Sequence, residues 1–376
     1  MTDSNFIPLM VLDIQQQDIN SVVNVLQSGM LSQGIKVEEL ENNIAKYLGI
    51  RNAIAVSNGT ASLHMALLAL GTGKGDEVIV PAFSYIATAN VVELVGAKPI
   101  FVDIDISTFN IDKNLIERAI THKTKAIIPV HEFGLACDIQ EICELAKQYD
   151  IKVIEDAACA LGATENGKFT GTFGNVGSFS FHPRKAITCG EGGILVTNDD
   201  EIARKLRILR NHGIEIQNSK MEFVEAGFNY RLTDFQAALV NSQFRRLESI
   251  LNYKDRLSNI YFNKLCNSDR TKLPAIPQNK RHTWQSFHIM VDGRINRDQL
   301  IISMRKKGIG TNYGAQCIPY QKYFQGKYKL SCEKLFPNAL RAYKNGLVLP
   351  LYCKLDENDI QRISDILINL TKQNYA

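Results

Sequence analysis

A lysine closes the run Val176-Gly-Ser-Phe-Ser180-Phe-His-Pro-Arg-Lys185, just ahead of the glycine-rich stretch Thr188-Cys-Gly-Glu-Gly-Gly193. Small residues alternate with aromatics up to Pro183, as in a buried strand that ends in a turn. A lysine after a strand is ordinarily just solvated. Here the glycines let a small molecule approach the backbone closely. A lysine amine that attacks a carbonyl carbon must be partly desolvated and near another charge, which holds its pKa near neutrality. Arg184 and the buried strand behind it supply those conditions at Lys185.

Three further blocks carry candidate chemistry. Val153-Ile-Glu-Asp156-Ala-Ala ends an apolar run with two carboxylates. Glu155 reads as surface-exposed, whereas Asp156 is either a helix N-cap or an acid facing a ligand. Ser57-Asn-Gly-Thr60-Ala-Ser62-Leu-His64 places hydroxyls and a glycine at the start of a helical pattern. The backbone N–H groups of such a helix end favour a phosphate, though plain capping is the commoner use of these residues. Pro81-Ala-Phe-Ser-Tyr85 offers an aromatic that either stacks on a ligand ring or packs in the core. Gly71-Thr-Gly-Lys-Gly-Asp76 lacks Walker A spacing and reads as a turn. A lysine for an aldehyde, an acid for a pyridine nitrogen, a phosphate cradle and an aromatic for a ring face together make the parts list for pyridoxal phosphate.

The elements that must position these residues alternate. Strand-like runs at 53–57, 77–81, 98–103, 126–130, 152–155, 176–181 and 193–197 are separated by helical patterns, among them 60–70, 84–95 and 139–149. That alternation predicts an α/β domain with a large, mainly parallel sheet covered on both faces. Ligands bind at the carboxyl ends of such strands. This points to Ser57–Ala61, Phe83–Tyr85, His131–Gly134, Asp156–Cys159 and Ser180–Lys185. From about residue 246 the pattern changes. A long helix at 247–266 is followed by a polar loop at 273–281, strands at 286–291 and 347–351 separated by a helix, and a last helix at 357–373. This predicts residues 1–245 as an N-terminal segment plus large domain and 246–376 as a smaller α+β domain.

Bulk properties exclude other classes. The chain has 376 residues, 45% hydrophobic and 22% charged, with a net charge of +4 and no Lys/Arg block. Such a charge does not argue for nucleic acid. Eight cysteines without a C-x-x-C pair read as reduced thiols, not as a disulfide framework or a metal site. No apolar run reaches the roughly 20 residues of a membrane span, and Phe6–Leu12 lacks the basic flank of a signal peptide. The expected location is the cytoplasm, where the Asn58-Gly-Thr and Asn369-Leu-Thr sequons have no use.

These blocks resemble the DegT/DnrJ/EryC1 family of sugar aminotransferases over essentially the whole chain. The similarity begins at Ser28-Gly-Met-Leu-Ser-Gln-Gly34 and passes through SNGTASLH, PAFSYIATAN, IEDAACALGA, SFHPRKAITCGEGG and RNHG. It then continues to Gly227–Leu239 and ends near Gly310-Thr-Asn-Tyr313. The paired EDAA and SFHPxK…GEGG blocks, in that order, are its specific core.

The resemblance implies a fold-type-I, aspartate-aminotransferase-like homodimer with shared active sites. Its cofactor would be pyridoxal 5'-phosphate, passing through pyridoxamine phosphate, and its substrates glutamate and a nucleotide-linked keto sugar. It implies that Lys185 holds the cofactor's aldehyde and later moves protons, and that Asp156 bonds the pyridine nitrogen. Thr60, Ala61 and Ser180 would bind the phosphate, and Tyr85 would stack on the ring. Asn229, with Arg231 as second choice, would reach the phosphate of the partner subunit.

Cys159 stands near the cofactor where many relatives have Gln or His, and a thiol is the weaker hydrogen-bond partner. Glu132 stands where many have an apolar or aromatic residue; it either meets a substrate or is a solvated loop residue. His182 is a substrate contact or a packed core histidine, and Tyr313 is a further substrate candidate. The Gly190-Glu-Gly-Gly193 ending resembles members that aminate carbon 4 of a 4-keto-6-deoxyhexose for glycan or lipopolysaccharide precursors. Two rivals remain: a sugar dehydratase of the same fold, in which the lysine is replaced, and a non-catalytic regulator, which would lose the lysine or the aspartate. Both residues are present here.

Overall fold

The computed structural model describes residues 6–373. Seven strands form its main sheet: β1 (Asn52–Val56), β2 (Glu77–Pro81), β3 (Lys98–Val102), β4 (Thr124–Ile127), β5 (Lys152–Asp156), β6 (Val176–Ser180) and β7 (Gly193–Thr197). Their spatial order is β1-β7-β6-β5-β4-β2-β3. Pairings from β3 through β6 are parallel, and only β7, antiparallel to both β6 and β1, runs against the rest. The apolar centres of these strands are buried because helices cover both faces.

The helix Gly59–Ala69 (α1) is apolar nearly all round, since it lies between the sheet and neighbouring helices. It starts where Asn58 caps the N–H of Ala61 at 2.8 Å. The other predicted strands and helices of this region fall within a few residues of their expected bounds. One differs more. The helical pattern expected from residue 84 begins only at Ala87, because Phe83–Ser84 is a short strand paired with Gln316–Cys317. That partner lies more than 230 residues away, so no local pattern reveals it.

Beyond the sheet, the long helix Leu247–Leu265 (α2) and the final helix Glu357–Gln373 (α3) pack on a three-stranded antiparallel sheet of Thr271–Lys272, Phe287–Val291 and Gly346–Leu349. Leu257, Tyr261, Trp284 and Phe287 form the centre of that second core. Between its last two strands the chain makes several helices, not one. Part of this stretch, including Cys317, Phe324, Phe336 and Ala339, joins the core of the main sheet against Phe83 and Phe101. The polar loop at 273–281 likewise contributes Lys280–Arg281 to a small sheet with Thr164–Glu165.

Glu155 is not exposed, as its charge suggests, but fully buried. Successive side chains of a strand face opposite sides of the sheet, so Glu155 and Asp156 are sent apart. On its side Glu155 accepts N–H bonds from Gly171 at 2.6 Å and from Phe173 and Gly174 at 2.7 Å. His131 Nδ1 accepts from Cys137 N–H at 3.1 Å, so Nε2 carries the ring proton and donates it to Glu155 at 3.0 Å. One carboxylate thus fastens β5 to the loop before β6 and to the turn after β4. Replacing it with alanine leaves four buried donors without an acceptor. Glu155→Ala is expected to lower unfolding stability by about 3 kcal/mol or more, read from chemical denaturation midpoints. A loss under about 1 kcal/mol would show that water replaces the carboxylate.

Candidate active site

The carboxyl ends of β5 and β6 and the start of α1 converge, and the predicted blocks meet there. Asp156 closes β5 and is 5% exposed. Its Oδ2 accepts from Thr88 Oγ1 at 2.9 Å and its Oδ1 from Ala158 N–H at 3.2 Å. The second bond is an Asx turn, and no helix starts there, so the capping alternative does not hold. Burial pushes the Asp156 pKa up, while Thr88, Ala158, Lys185 and His131 pull against it. The turn brings Cys159 under Lys185, whose Nζ lies 3.1 Å from its Sγ. Burial also raises the Cys159 pKa, opposed chiefly by the charge of Lys185.

Lys185 is held by a closed loop. Its N–H donates to His182 O at 2.9 Å, Phe181 N–H donates to Gly192 O at 2.8 Å, and Cys189 N–H donates to Phe181 O at 3.1 Å. Thr188 Oγ1 adds a bond to Phe181 O at 2.8 Å. Two glycines let α1 come close to β6 and β7. A Cβ on Gly59 would lie 3.0 Å from Ser180 Cβ, and one on Gly193 would lie 2.7 Å from the Asn58 carbonyl carbon. The Ser180 hydroxyl therefore stands against the first turn of α1, beside Thr60. First-turn N–H groups have no partner within their own helix, but that of Ala61 is already taken by Asn58 Oδ1.

Glu132 is not a solvated loop residue. It is 5% exposed, and its Oε2 is buried without a hydrogen-bond partner. Burial, then the charge of Asp156, pushes its pKa to about 8, while Lys185 and Ser84 act the other way. Glu132 thus belongs to the same cluster. Tyr85 is 65% exposed, which rules out the core-packing alternative. His182 is half-buried, with Nδ1 accepting from Arg184 N–H at 3.2 Å. Burial lowers its pKa, Lys185 and Arg184 lower it further, and Glu191 opposes them.

Three predicted residues do not join this cluster within the chain. Asn229 is exposed and bridges to Asn211. Arg231 Nη1 donates to Asn211 Oδ1 at 2.6 Å. Tyr313 packs edge-on against Tyr343 at 5.9 Å and lies 5.6 Å from the Arg297 guanidinium. Thr88, which steadies Asp156, was not singled out from the sequence, and His131 entered only as the first residue of the segment His131–Gly134.

A buried acid, an adjacent lysine and a hydroxyl-rimmed helix end at the carboxyl edge of a mainly parallel sheet define a pyridoxal-phosphate enzyme site. The comparisons agree. Residues 12–368 match the DegT/DnrJ/EryC1/StrS aminotransferase family, and the chain belongs to that family of pyridoxal-phosphate-dependent sugar aminotransferases. It is 39% identical over 335 residues to the GDP-perosamine synthase of Caulobacter vibrioides, covering 88% of this chain and 89% of that one. It is 36% identical, over the full length of both, to an uncharacterized protein of Methanocaldococcus jannaschii. Spr1654 of Streptococcus pneumoniae, solved in its PMP-form, superposes with a TM-score of 0.94 at 30% identity over 98% of each chain. The same protein is also known in a PLP-form. The fold is therefore the α/β, fold-type-I architecture expected. No helix of the described residues is long and apolar enough to cross a membrane, and no group of metal-binding side chains occurs among them.

The raised pKa of Glu132 has a sign that can be checked. Between the ordinary carboxyl value of 4.5 and about 8, the folded cofactor-free protein keeps a proton that the unfolded chain has lost. Stability therefore falls as pH rises through that window. Glu132→Gln cannot ionise and is spared this loss. Its stability advantage over wild type should be small near about pH 5 and reach on the order of a few kcal/mol near about pH 9. Thermal melts of the cofactor-free proteins across pH check this. A difference independent of pH would mean that Glu132 ionises normally.

Proposed function

We propose that this chain moves an amine from glutamate to a keto group of a nucleotide-linked sugar. The acceptor carbon is carbon 4 of a 4-keto-6-deoxyhexose, and the product serves glycan or lipopolysaccharide precursors. The observation that carries the reading is Lys185 Nζ poised over Cys159 next to the buried Asp156. Family membership and a relative named for a GDP-linked sugar support the substrate class. The Gly190-Glu-Gly-Gly193 ending supports carbon 4.

The residues fit pyridoxal phosphate. Asp156 has a buried carboxylate for the pyridine nitrogen, Lys185 an amine for the aldehyde, and Thr60 and Ser180 flank a helix end suited to the phosphate, with Ala61 at its rim. When bound, the cofactor supplies an aldehyde and an electron-withdrawing ring. Asp156 would keep a proton on the ring nitrogen, and Tyr85 would cover a ring face. Lys185 Nζ takes the proton from the amine-bearing carbon of the donor and later delivers one to the sugar carbon that receives nitrogen. Cys159 offers only a weak hydrogen bond beside Nζ. Glu132 and His182 line the approach of the sugar. Incubation with glutamate and dTDP-, UDP- or GDP-linked 4-keto-6-deoxy sugars should give a product with nitrogen on carbon 4 by NMR, and Lys185→Ala should give none. Nitrogen on carbon 3 would overturn the regiochemistry, and turnover by Lys185→Ala would overturn the role of that lysine.

Sites are shared across a homodimer in this reading. Asn229 is exposed, and the Arg231 side chain donates to Asn211 in its own chain, which leaves Asn229 open to a partner's phosphate. Inactive Lys185→Ala and the inactive double variant Asn229→Ala/Arg231→Ala are then mixed under conditions of subunit exchange. Each mixed dimer has one site with both defects and one with neither. Activity should return to roughly a quarter of wild type. No recovery despite demonstrated exchange would place both residues outside a shared site.

A further inference from the structure

We propose that Lys254 is the anchor for a carboxylate of the amino-acid donor. The inference rests on the aminotransferase reading above and adds a substrate-binding residue to it. Lys254 lies on α2, is 6% exposed, and has no hydrogen bond or ion pair among the described residues. It lines one cleft together with Lys185, Arg184, Asp13, Gln285 and Cys353. Asp13 is the one acid in that lining, and its Oδ2 is engaged by Arg246 Nε at 3.4 Å and Gln15 Nε2 at 3.3 Å. A buried ammonium costs several kcal/mol unless an anion answers it. Among the described residues no carboxylate pairs with Lys254, which leaves its amine free to meet an anionic ligand.

Position decides which anion. Lys254 and Lys185 line the same cleft, and Lys185 Nζ lies 3.1 Å from Cys159 Sγ. Burial pushes the Lys254 pKa down, and the Cys353 and Cys159 thiols pull it up. An anion held by Lys254 would therefore share the cleft that Lys185 lines. An amino acid carries its α-carboxylate on the reacting carbon. The diphosphate of a sugar nucleotide is separated from the keto carbon by the sugar ring. The basic residues of the lining, Arg184, Lys185 and Lys254, against an already paired Asp13, suit a small dicarboxylate such as glutamate.

The test separates the two substrates. Glutamate alone converts the cofactor-loaded enzyme and changes its absorbance, and the concentration for half-conversion measures donor binding. Lys254→Met should raise that concentration roughly 30-fold or more, and Lys254→Arg should stay within about tenfold of wild type. Affinity for whichever of dTDP, UDP or GDP the wild type binds, measured by calorimetry, should be unchanged in both variants. Melting of cofactor-free Lys254→Met should be no lower than wild type, because an unpaired buried charge has been removed. A lower melting temperature would make Lys254 structural, and weaker nucleotide binding with normal glutamate response would assign it to the nucleotide. Either result overturns the proposal. A wild type that glutamate converts and a Lys254→Met that it converts equally well defeat this assignment alone. A wild type inert to glutamate defeats the donor reading itself, and the anchor with it.

Discussion

A carboxylate taken out of water is unstable unless hydrogen bonds or opposite charge compensate it. Asp156 is 5% exposed, and its environment is organised around that penalty. Thr88 and the Ala158 N–H bond its oxygens, while the charge of Lys185 and the imidazole of His131 favour its ionised form. Each compensating group comes from a different segment. Thr88 belongs to the helix after the Tyr85 turn, Ala158 to the turn after β5, Lys185 to the loop after β6, and His131 to the turn after β4. Four segments therefore converge on this one acid.

The two carboxylates at the end of β5 divide the work by the parity of the strand. Glu155 faces the scaffold and is saturated by His131 and three backbone N–H groups. Asp156 points to the opposite side and accepts only from Thr88 Oγ1 and the Ala158 N–H among the described residues. Glu132 shows what happens without such saturation. Its Oε2 has no partner, and its pKa is driven to about 8 by burial and by Asp156. At neutral pH it is predominantly a neutral acid, able to donate as well as accept a hydrogen bond. A neutral donor beside a charged acceptor suits recognition of a sugar hydroxyl better than two like charges do.

The blocks that bear on chemistry were legible because each couples a strand end to small or turn-forming residues, and seven strand-like runs correspond to the seven strands of the sheet. That coupling pointed to the segments Asp156–Cys159 and Ser180–Lys185, while the roles of Asp156 and Ser180 came only with the family resemblance. The burial of Glu155 was not legible, because its donors, Gly171, Phe173 and Gly174, lie in a loop whose backbone direction no periodicity encodes. The late start of the helix at Ala87 depends on a strand pairing with Gln316–Cys317, which is equally non-local. Lys254 was hidden for another reason. On a long amphipathic helix a lysine reads as solvated, and only the chain packed over α2 takes it out of water.

Where the chain leaves apolar surface uncovered bears on the shared-site reading. Ile19, Val23, Leu26, Met30, Leu31 and Ile35 are each at least 40% exposed and fall within the first 35 residues. Tyr85, at the cleft, is 65% exposed. Scattered apolar exposure is ordinary, but a run confined to one terminal segment is the kind that association buries. A two-fold dimer places identical segments against each other and repeats every contact twice. Covering this segment in that way would shield Ser28–Gly34, whose Gly34 N–H is bound by Asp234 Oδ1 at 2.8 Å. Asp234 opens the helix that directly follows Asn229 and Arg231. Asp234 Oδ1 also accepts from Val37 N–H at 3.0 Å, and Asp234 N–H donates to Leu31 O at 3.1 Å, so three hydrogen bonds tie the exposed segment to the block proposed to reach the partner.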